Sequence, residues 1–285
     1  MSLQQTQRRR QAVSTIHDLV GAMRAIAAGR IQGAQRALAA ARRYEEIVRR
    51  GVSSLAAKST AKSLPAINGG PPLLVVMTSE QPFCGSFNQD VLELAIKRWE
   101  ELCHLERPHL VMVGQRGARQ LAARGIVPDT CEPAATTLSG LRDLTKQLAR
   151  MIDARYTARQ AGGLHVIYNR YQSVSEQIPT EEQILPLDLS ALRSSSSQTT
   201  TNFYHYLPVP VLIAGLVSEH AFISLYRIAA DSYASEQAGR LVAMDGATRN
   251  TEKMLDGLLD LERHERQGQI TRQVLELIGA RCASE

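Results

Sequence analysis

The chain has 285 residues, of which 44% are hydrophobic, 21% charged and only 5% aromatic, with one Trp and four Phe. That length can bury one large core or two modest ones, and the shortage of aromatics disfavours a large β-sandwich while suiting helices packed through Ala, Leu and Met. No stretch approaches the roughly 18 uninterrupted apolar residues of a membrane span. The four cysteines (Cys84, Cys103, Cys131, Cys282) form no C-x-x-C pair, which points to free thiols and away from a disulfide framework or zinc site.

The net charge of +5 is unevenly spread. Residues 1–58 hold eleven Lys/Arg against Asp18, Glu45 and Glu46, so this segment is +8 and the remainder −3. The imbalance implies an acidic partner for one element, whether protein, nucleic acid or anionic lipid. The first twenty residues show no apolar run followed by a small-residue cleavage site, so a cytosolic, bacterial protein is expected.

All eleven prolines fall between Pro65 and Pro210, leaving proline-free termini of 64 and 75 residues. Proline removes a helical donor and clashes with the preceding turn, so both termini are predicted to be long helices. Stepping alternately by 3 and 4 from Val13 gives Val13, Ile16, Val20, Met23, Ala27, Arg30, Ala34, Ala37, Ala41, Tyr44 and Val48, a heptad seam with Arg30 as its one charged member. The same stepping from Ala230 gives Tyr233, Gln237, Arg240, Met244, Ala247, Thr251, Met254, Leu258 and Leu261, with Gln237, Arg240 and Thr251 as polar interruptions. Helices of about 50 and 70 residues would reach about 75 and 105 Å, wider than a globular core, so they must pair with each other, with a partner, or both. The glycines along them imply close helix crossing or external support.

Between the helices the chain reads as α/β. Strands are predicted at 71–79, 109–114 and 163–171, with a fourth, shorter one at 183–188; helices are predicted at 88–104, 115–123 and 138–157. Strands separated by helices imply parallel crossovers and a small doubly wound sheet. Residues 193–202 form a polar, low-complexity loop expected to be mobile. The fold class is therefore α/β: an antiparallel coiled coil of the terminal helices, 1–60 and 208–282, plus a mainly parallel α/β domain over 70–195.

Candidate chemistry is sparse. The loop SEQPFCGSFNQD (79–90) follows the first strand and leads into a helix, where phosphate-binding turns occur. It has a single glycine, Gly85, where a dinucleotide fingerprint needs three, so a structural turn is the favoured reading over a nucleotide site. Cys84 reads as a structural thiol; a low-pKa thiolate at the helix start is the alternative. The seven histidines match no metal spacing, and no catalytic constellation assembles. The basic helix lacks the interleaved aromatics of a nucleic-acid surface.

Three collinear blocks carry a family resemblance. HDLVGAMRAIAAGRIQGAQRALAAARRYEE (17–46), LLVVMTSEQPFCGSFNQDV (73–91) and the long C-terminal block 234–280, with its Ser-Glu-x-x-x-Arg, Met-x-x-Ala-x-x-Asn and Arg-Gln-x-x-Ile-Thr elements, resemble the gamma subunit of F-type ATP synthases. The segment 167–187 also fits. The resemblance implies a rotor shaft with no active site or cofactor of its own. Its coiled coil would sit inside a ring of alpha and beta subunits, and its base, with an epsilon subunit, on the membrane ring of c subunits at the cytoplasmic face of a bacterial inner membrane. It implies no nucleic-acid partner and only indirect membrane contact. By residue-by-residue match, Met23, Arg240, Arg266, Gln267 and Thr271 would contact beta, and Tyr204 and Tyr206 the c ring. The chain departs from the family pattern at Gly21, Gln81–Pro82, Ser86 and Leu207, as a divergent branch such as a second, sodium-type ATPase would. A stand-alone α/β protein that binds nucleotide or nucleic acid and dimerises through its helices is the alternative reading.

Overall fold

The computed structural model describes residues 3–58, 70–158, 160–187 and 206–282; Tyr204 and the polar 193–202 loop lie outside the described residues. The terminal helices are α1, Leu3–Lys58, and α5, Val209–Cys282. Pro210 falls in the first turn of α5, where its missing N–H costs no helical hydrogen bond. Between them lie β1 (Pro72–Met77), α2 (Phe87–Cys103), β2 (His109–Val113), α3 (Gln115–Ala122), β3 (Thr130–Glu132), α4 (Leu138–Thr157), β4 (Gly163–Tyr171) and β5 (Gln177–Leu185). By their contacts the residues divide into two units, 28–240 and the combination of 1–27 with 241–285.

The sheet belongs to the 28–240 unit and runs β3-β2-β1-β4-β5. Its first three pairings are parallel, and β5 is antiparallel to β4. Residues alternate between faces with period two. Leu73, Val75 and Met77 face one core with Leu144, Leu148 and Ile152 of α4 and Leu225 and Ile228 of α5. Leu74 and Val76 face the other, with Val91, Leu92 and Ala95 of α2 and Leu121 of α3. Both faces are covered, which is why β1 reads as an uninterrupted apolar run.

Two strands differ from expectation. β3 is unpredicted: it has three residues between Pro128 and Pro133 and no apolar run to reveal it. β5 begins six residues before the predicted fourth strand and includes Pro179. That proline is tolerated because β5 is an edge strand, where a missing donor breaks no inner ladder.

Residues 227–240 of α5 are buried on every side. One side meets the sheet, and Ala229, Ala230, Tyr233 and Ala234 pack on Ala34 and Leu38 of α1 with Leu141 of α4. The helices pair antiparallel in each unit. In the 1–27/241–285 unit Gln7 meets Glu262, His17 meets Glu252 and Arg24 meets Asp245, so each step forward on α1 is matched by an equal step back on α5. In the 28–240 unit Arg42 meets Asp231, Glu45 meets Ser224 and Gly51 packs on Leu216.

The seam on α1 is offset from the predicted one at every second position. Ala27, Ala34, Ala41 and Val48 are buried as expected, but their alternates are Ile31, Leu38 and Val52, whereas Ile16 and Tyr44 are exposed and Arg30 is half-buried. A 4-then-3 stepping places the alternate one residue later, and Ala-rich segments offer too little contrast to choose between the two phases. On α5 the seam drifts likewise, to Thr248 and Glu262 in place of Ala247 and Leu261. The glycines are not uniformly at crossings. Gly33 is, since a Cβ there would lie 2.6 Å from Leu138 Cδ1, whereas Gly21, Gly29, Gly246 and Gly257 have nothing within 4 Å of that position.

This register makes a prediction for unfolding experiments. Ile31→Ala, at a buried seam position, should cost about 2–4 kcal/mol. Ile47→Ala, at a position 63% exposed, should cost under about 0.5 kcal/mol. Comparable losses in urea unfolding would refute the register.

Candidate partner-contact surface

The 79–90 loop is folded inward on its own polar groups. Ser79 N–H donates to Asn88 Oδ1 at 2.9 Å, and Asn88 Nδ2 donates back to Ser79 Oγ at 2.8 Å. The turn uses positive φ at Phe83 (66°) and Gly85 (62°). Cys84 is buried, its thiol contacts Ser79 Oγ at 3.4 Å, and burial raises its pKa above the ordinary thiol range. A cavity of about 320 Å³ beside the loop is lined by Cys84, Asn88, Gln89, Arg116 and Gln120 among others. Among the described residues, no group of three or more His, Cys, Asp or Glu is placed to hold a metal ion.

Loop and helix meet where α5 lacks a side chain. A Cβ on Gly239 would lie 2.7 Å from Cys84 O, so glycine alone lets the loop's backbone rest on α5. The flanking α5 residues are polar yet buried. Arg240 Nη2 donates to Glu236 Oε1 at 2.6 Å. Burial raises the Glu236 pKa, opposed by Arg240 and then Arg30. Arg240 Nε and Nη1 and Gln237 Oε1 have no hydrogen-bond partner among the described residues. Buried donors of this kind are costly unless something satisfies them, so Arg240 retains unused capacity for an acceptor.

In the 1–27/241–285 unit, Arg266, Gln267 and Thr271 occupy adjoining turns of α5 and are exposed. Arg266 pairs with Glu262 at 3.2 Å. Glu262 is itself 7% exposed. Its carboxyl is held below the ordinary range by a hydrogen bond from Gln7, then by the charges of Arg10 and Arg266. Exposed apolar residues continue beyond: Ile270, Val274, Leu275, Leu277 and Ile278. Met23 is half-buried on α1 of the same unit. Arg24 meets Asp245, so Met23 lies about 30 Å along the pair from Arg266 and does not form one patch with it.

The basic charge of α1 is partly answered within the chain. Arg10 pairs with Glu262 and Arg24 with Asp245, while Arg42 pairs with Asp231. Arg49 and Arg50 share Glu46. The exposed Arg8, Arg9, Arg36 and Arg43 form no ion pair among the described residues, so they are the part of the excess left to face a partner. Tyr206 is fully exposed beside the half-exposed Leu207 at the approach to α5. Sequence reasoning missed the buried acids Glu236 and Glu262. Each is four residues before an arginine, a spacing that places the two on one helix face and is readable in the sequence.

A protein-family model described as ATP synthase matches residues 2–283. The ATP synthase gamma chain of Fuscovulum blasticum is 32% identical over 97% of both chains, and that of Paracoccus denitrificans is 28% identical over the same shares. Among solved structures, the fold is similar to a chain of the Euglena gracilis mitochondrial ATP synthase rotor in rotational state 1. That match has a TM-score of 0.61 and 14% identity and covers 94% of this chain and 98% of the other. A chain of the OSCP/F1/c-ring structure of the same enzyme, in rotational state 3, gives a TM-score of 0.66 and 15% identity, with 99% and 94% coverage.

The two thiols on α2 and its loop differ in burial, and their reactivity should follow. Cys103 is exposed whereas Cys84 is buried with a raised pKa, so iodoacetamide at pH 8 should label Cys103 first and Cys84 only on unfolding. Equal labelling of the native protein, read by peptide mass spectrometry, would contradict the inward-folded loop.

Proposed function

The chain belongs to the ATP synthase gamma-chain family, and from that premise we propose that it is the central-stalk rotor subunit of a proton- or sodium-translocating F-type ATP synthase. The observation that carries the reading is the relative 32% identical across 97% of both chains. The long antiparallel helix pair is in keeping with it.

In this reading the chain performs no chemistry itself. The paired helices turn inside a ring of alpha and beta subunits, and the α/β segment, with an epsilon subunit, rests on the c ring at the cytoplasmic face of the membrane. The working parts are the N-terminal helix (1–60), the α/β segment (70–195) and the C-terminal helix (208–282). A shaft that is not threefold symmetric presents different contacts to each beta subunit. Each catalytic site therefore has a different nucleotide affinity, and rotation exchanges those affinities by shifting differential binding free energy.

The contacts with beta are assigned to Met23, Arg240, Arg266, Gln267 and Thr271, and those with the c ring to Tyr204 and Tyr206. The exposure of Arg266, Gln267 and Thr271 supports their role; Arg240, at 4% exposed, keeps two donors without a partner among the described residues. The unpaired Arg8, Arg9, Arg36 and Arg43 suit an acidic lever on beta, since charge complementarity guides encounter and orientation. Gly21 and Leu207 remove charges that the family pattern carries, so contacts there rest on shape and apolar area.

Arg266→Ala with Gln267→Ala should lower ATPase turnover of the assembled complex while leaving nucleotide binding to beta nearly unchanged. Steady-state hydrolysis and nucleotide titration measure the two separately, and unchanged turnover would remove these residues from the contact. The chain should co-purify with alpha and beta as an ATP-hydrolysing assembly. A monodisperse homodimer that binds ATP or DNA by itself would refute the rotor role.

A further inference from the structure

Arg227 is the centre of an ion cluster within the 28–240 unit that the contact surface does not use. Its side chain is 8% exposed, and Nε lies 2.6 Å from Glu45 Oε2 of α1. Nη2 donates to Glu182 Oε1 of β5. Nη1 donates to Tyr168 Oη of β4 at 3.2 Å and lies 3.7 Å from Asp231, one turn along α5. The surrounding bonds close on the same groups. Tyr168 Oη donates to Glu182 Oε2 at 3.0 Å, Ser224 Oγ donates to Glu45 Oε1 at 2.7 Å, and Arg42 pairs with Asp231 at 3.1 Å. Arg170 lies 3.9 Å from Glu182. Thus Arg42, Arg170 and Arg227 balance Glu45, Glu182 and Asp231. Burial works against the charge on Arg227, and Glu182 and Glu45 more than offset it.

Stability alone does not account for this arrangement, because buried ion clusters are often no better for stability than apolar side chains of the same volume. Ions add direction. Apolar burial is non-directional, and the helix–helix contact in this unit sets Ala34 against Ala229, Ala230 and Ala234 beside the larger Leu38 and Tyr233. The small members of that surface interlock less along its axis than the larger ones. Hydrogen bonds from Nη2 to Glu182 of β5 and from Nη1 to Tyr168 of β4 fix distance and angle, and Nε adds an ion pair, without hydrogen-bond geometry, to Glu45 of α1. Neutral ties accompany it: Gln35 Nε2 donates to Tyr171 Oη at 2.8 Å, and Ser235 Oγ donates to Asn169 O at 2.9 Å.

We propose that Arg227 is a positioning residue that carries twisting load between the sheet and the α1–α5 pair, holding β4 and β5 at a fixed angle to the helices through Glu45, Glu182 and Tyr168. The proposal rests on the rotor reading and adds to it a named route for torque.

The test uses the assembled alpha–beta–gamma complex, fixed to a surface through beta, with a gold particle on the exposed Cys103 of α2. The measured quantity is the particle's angular variance while the enzyme waits for ATP. In R227M/E182Q, which keeps the remaining charges balanced, the variance should rise about two-fold, as expected when charge-assisted bonds give way to weaker contacts. Hydrolysis rate and step number should stay those of the parent. R227K keeps the charge but cannot fork across several acceptors, so it should give an intermediate variance in a chain whose folding is undisturbed. A purely structural role would alter melting temperature and leave the variance alone. Parental variance in both variants, in complexes that still rotate, would overturn the proposal and leave the rotor reading standing. Failure of the parent chain to assemble with alpha and beta would overturn the rotor reading and the proposal with it.

Discussion

Within the 28–240 unit, a single stretch of helix meets two demands at once. Residues 227–240 of α5 complete one face of the sheet through Ile228 and complete the helix pair through Ala229, Ala230, Tyr233 and Ala234. A helix buried on one stripe can place polar groups on the other side. One buried all round cannot, and its polar residues must find partners inside or stay unsatisfied, as Gln237 Oε1 and two donors of Arg240 do among the described residues. Arg227, Asp231, Glu236 and Arg240 are therefore met by carboxylates, guanidinium groups, a tyrosine hydroxyl and backbone groups. The close approach at Gly239 and the inward folding of the 79–90 loop follow from the same crowding.

The charge pattern divides along similar lines. Acids on α5 answer Arg10 and Arg24 of α1 in one unit and Arg42 in the other, which ties the two helices without demanding bulk at the seam. Exposed pairs such as Arg24–Asp245 contribute little to stability individually. Their value is in discouraging other pairings, since a shifted register would set like charges opposite each other. What remains unpaired on α1 is a smaller positive surface than the segment's net charge implies, divided between Arg8 and Arg9 in one unit and Arg36 and Arg43 in the other.

Much of the architecture was legible because it depends on strong, local signals. Proline placement marked both long helices, and α4 matched its predicted span from Leu138 to Thr157. The apolar runs at β1, β2 and β4 were plain because both faces of those strands are covered. β3 was hidden because three residues flanked by prolines carry no period, and most of β5 because edge strands accept polar residues and proline. The seam phase was lost among alanines, which look alike in either register. The polar residues of α5 were visible, but Gln237, Arg240 and Thr251 read as interruptions. Whether a polar residue interrupts a seam or is buried by design depends on what approaches from outside the pair, and that is set by residues such as Cys84, distant in sequence, whose carbonyl rests on α5 at Gly239.

The equal and opposite stepping of α1 and α5 has a consequence for how such a chain can change. Deleting one residue from either helix would rotate everything beyond it by about 100° about the helix axis. In the 1–27/241–285 unit, acids such as Glu262 and Asp245 would then swing away from Arg10 and Arg24. Compensation would require a matching deletion on the other helix, more than two hundred residues away in the sequence. Length in this pair is thus inherited jointly: point substitutions can accumulate freely on the outer faces, while the residue count of each helix is held by the other.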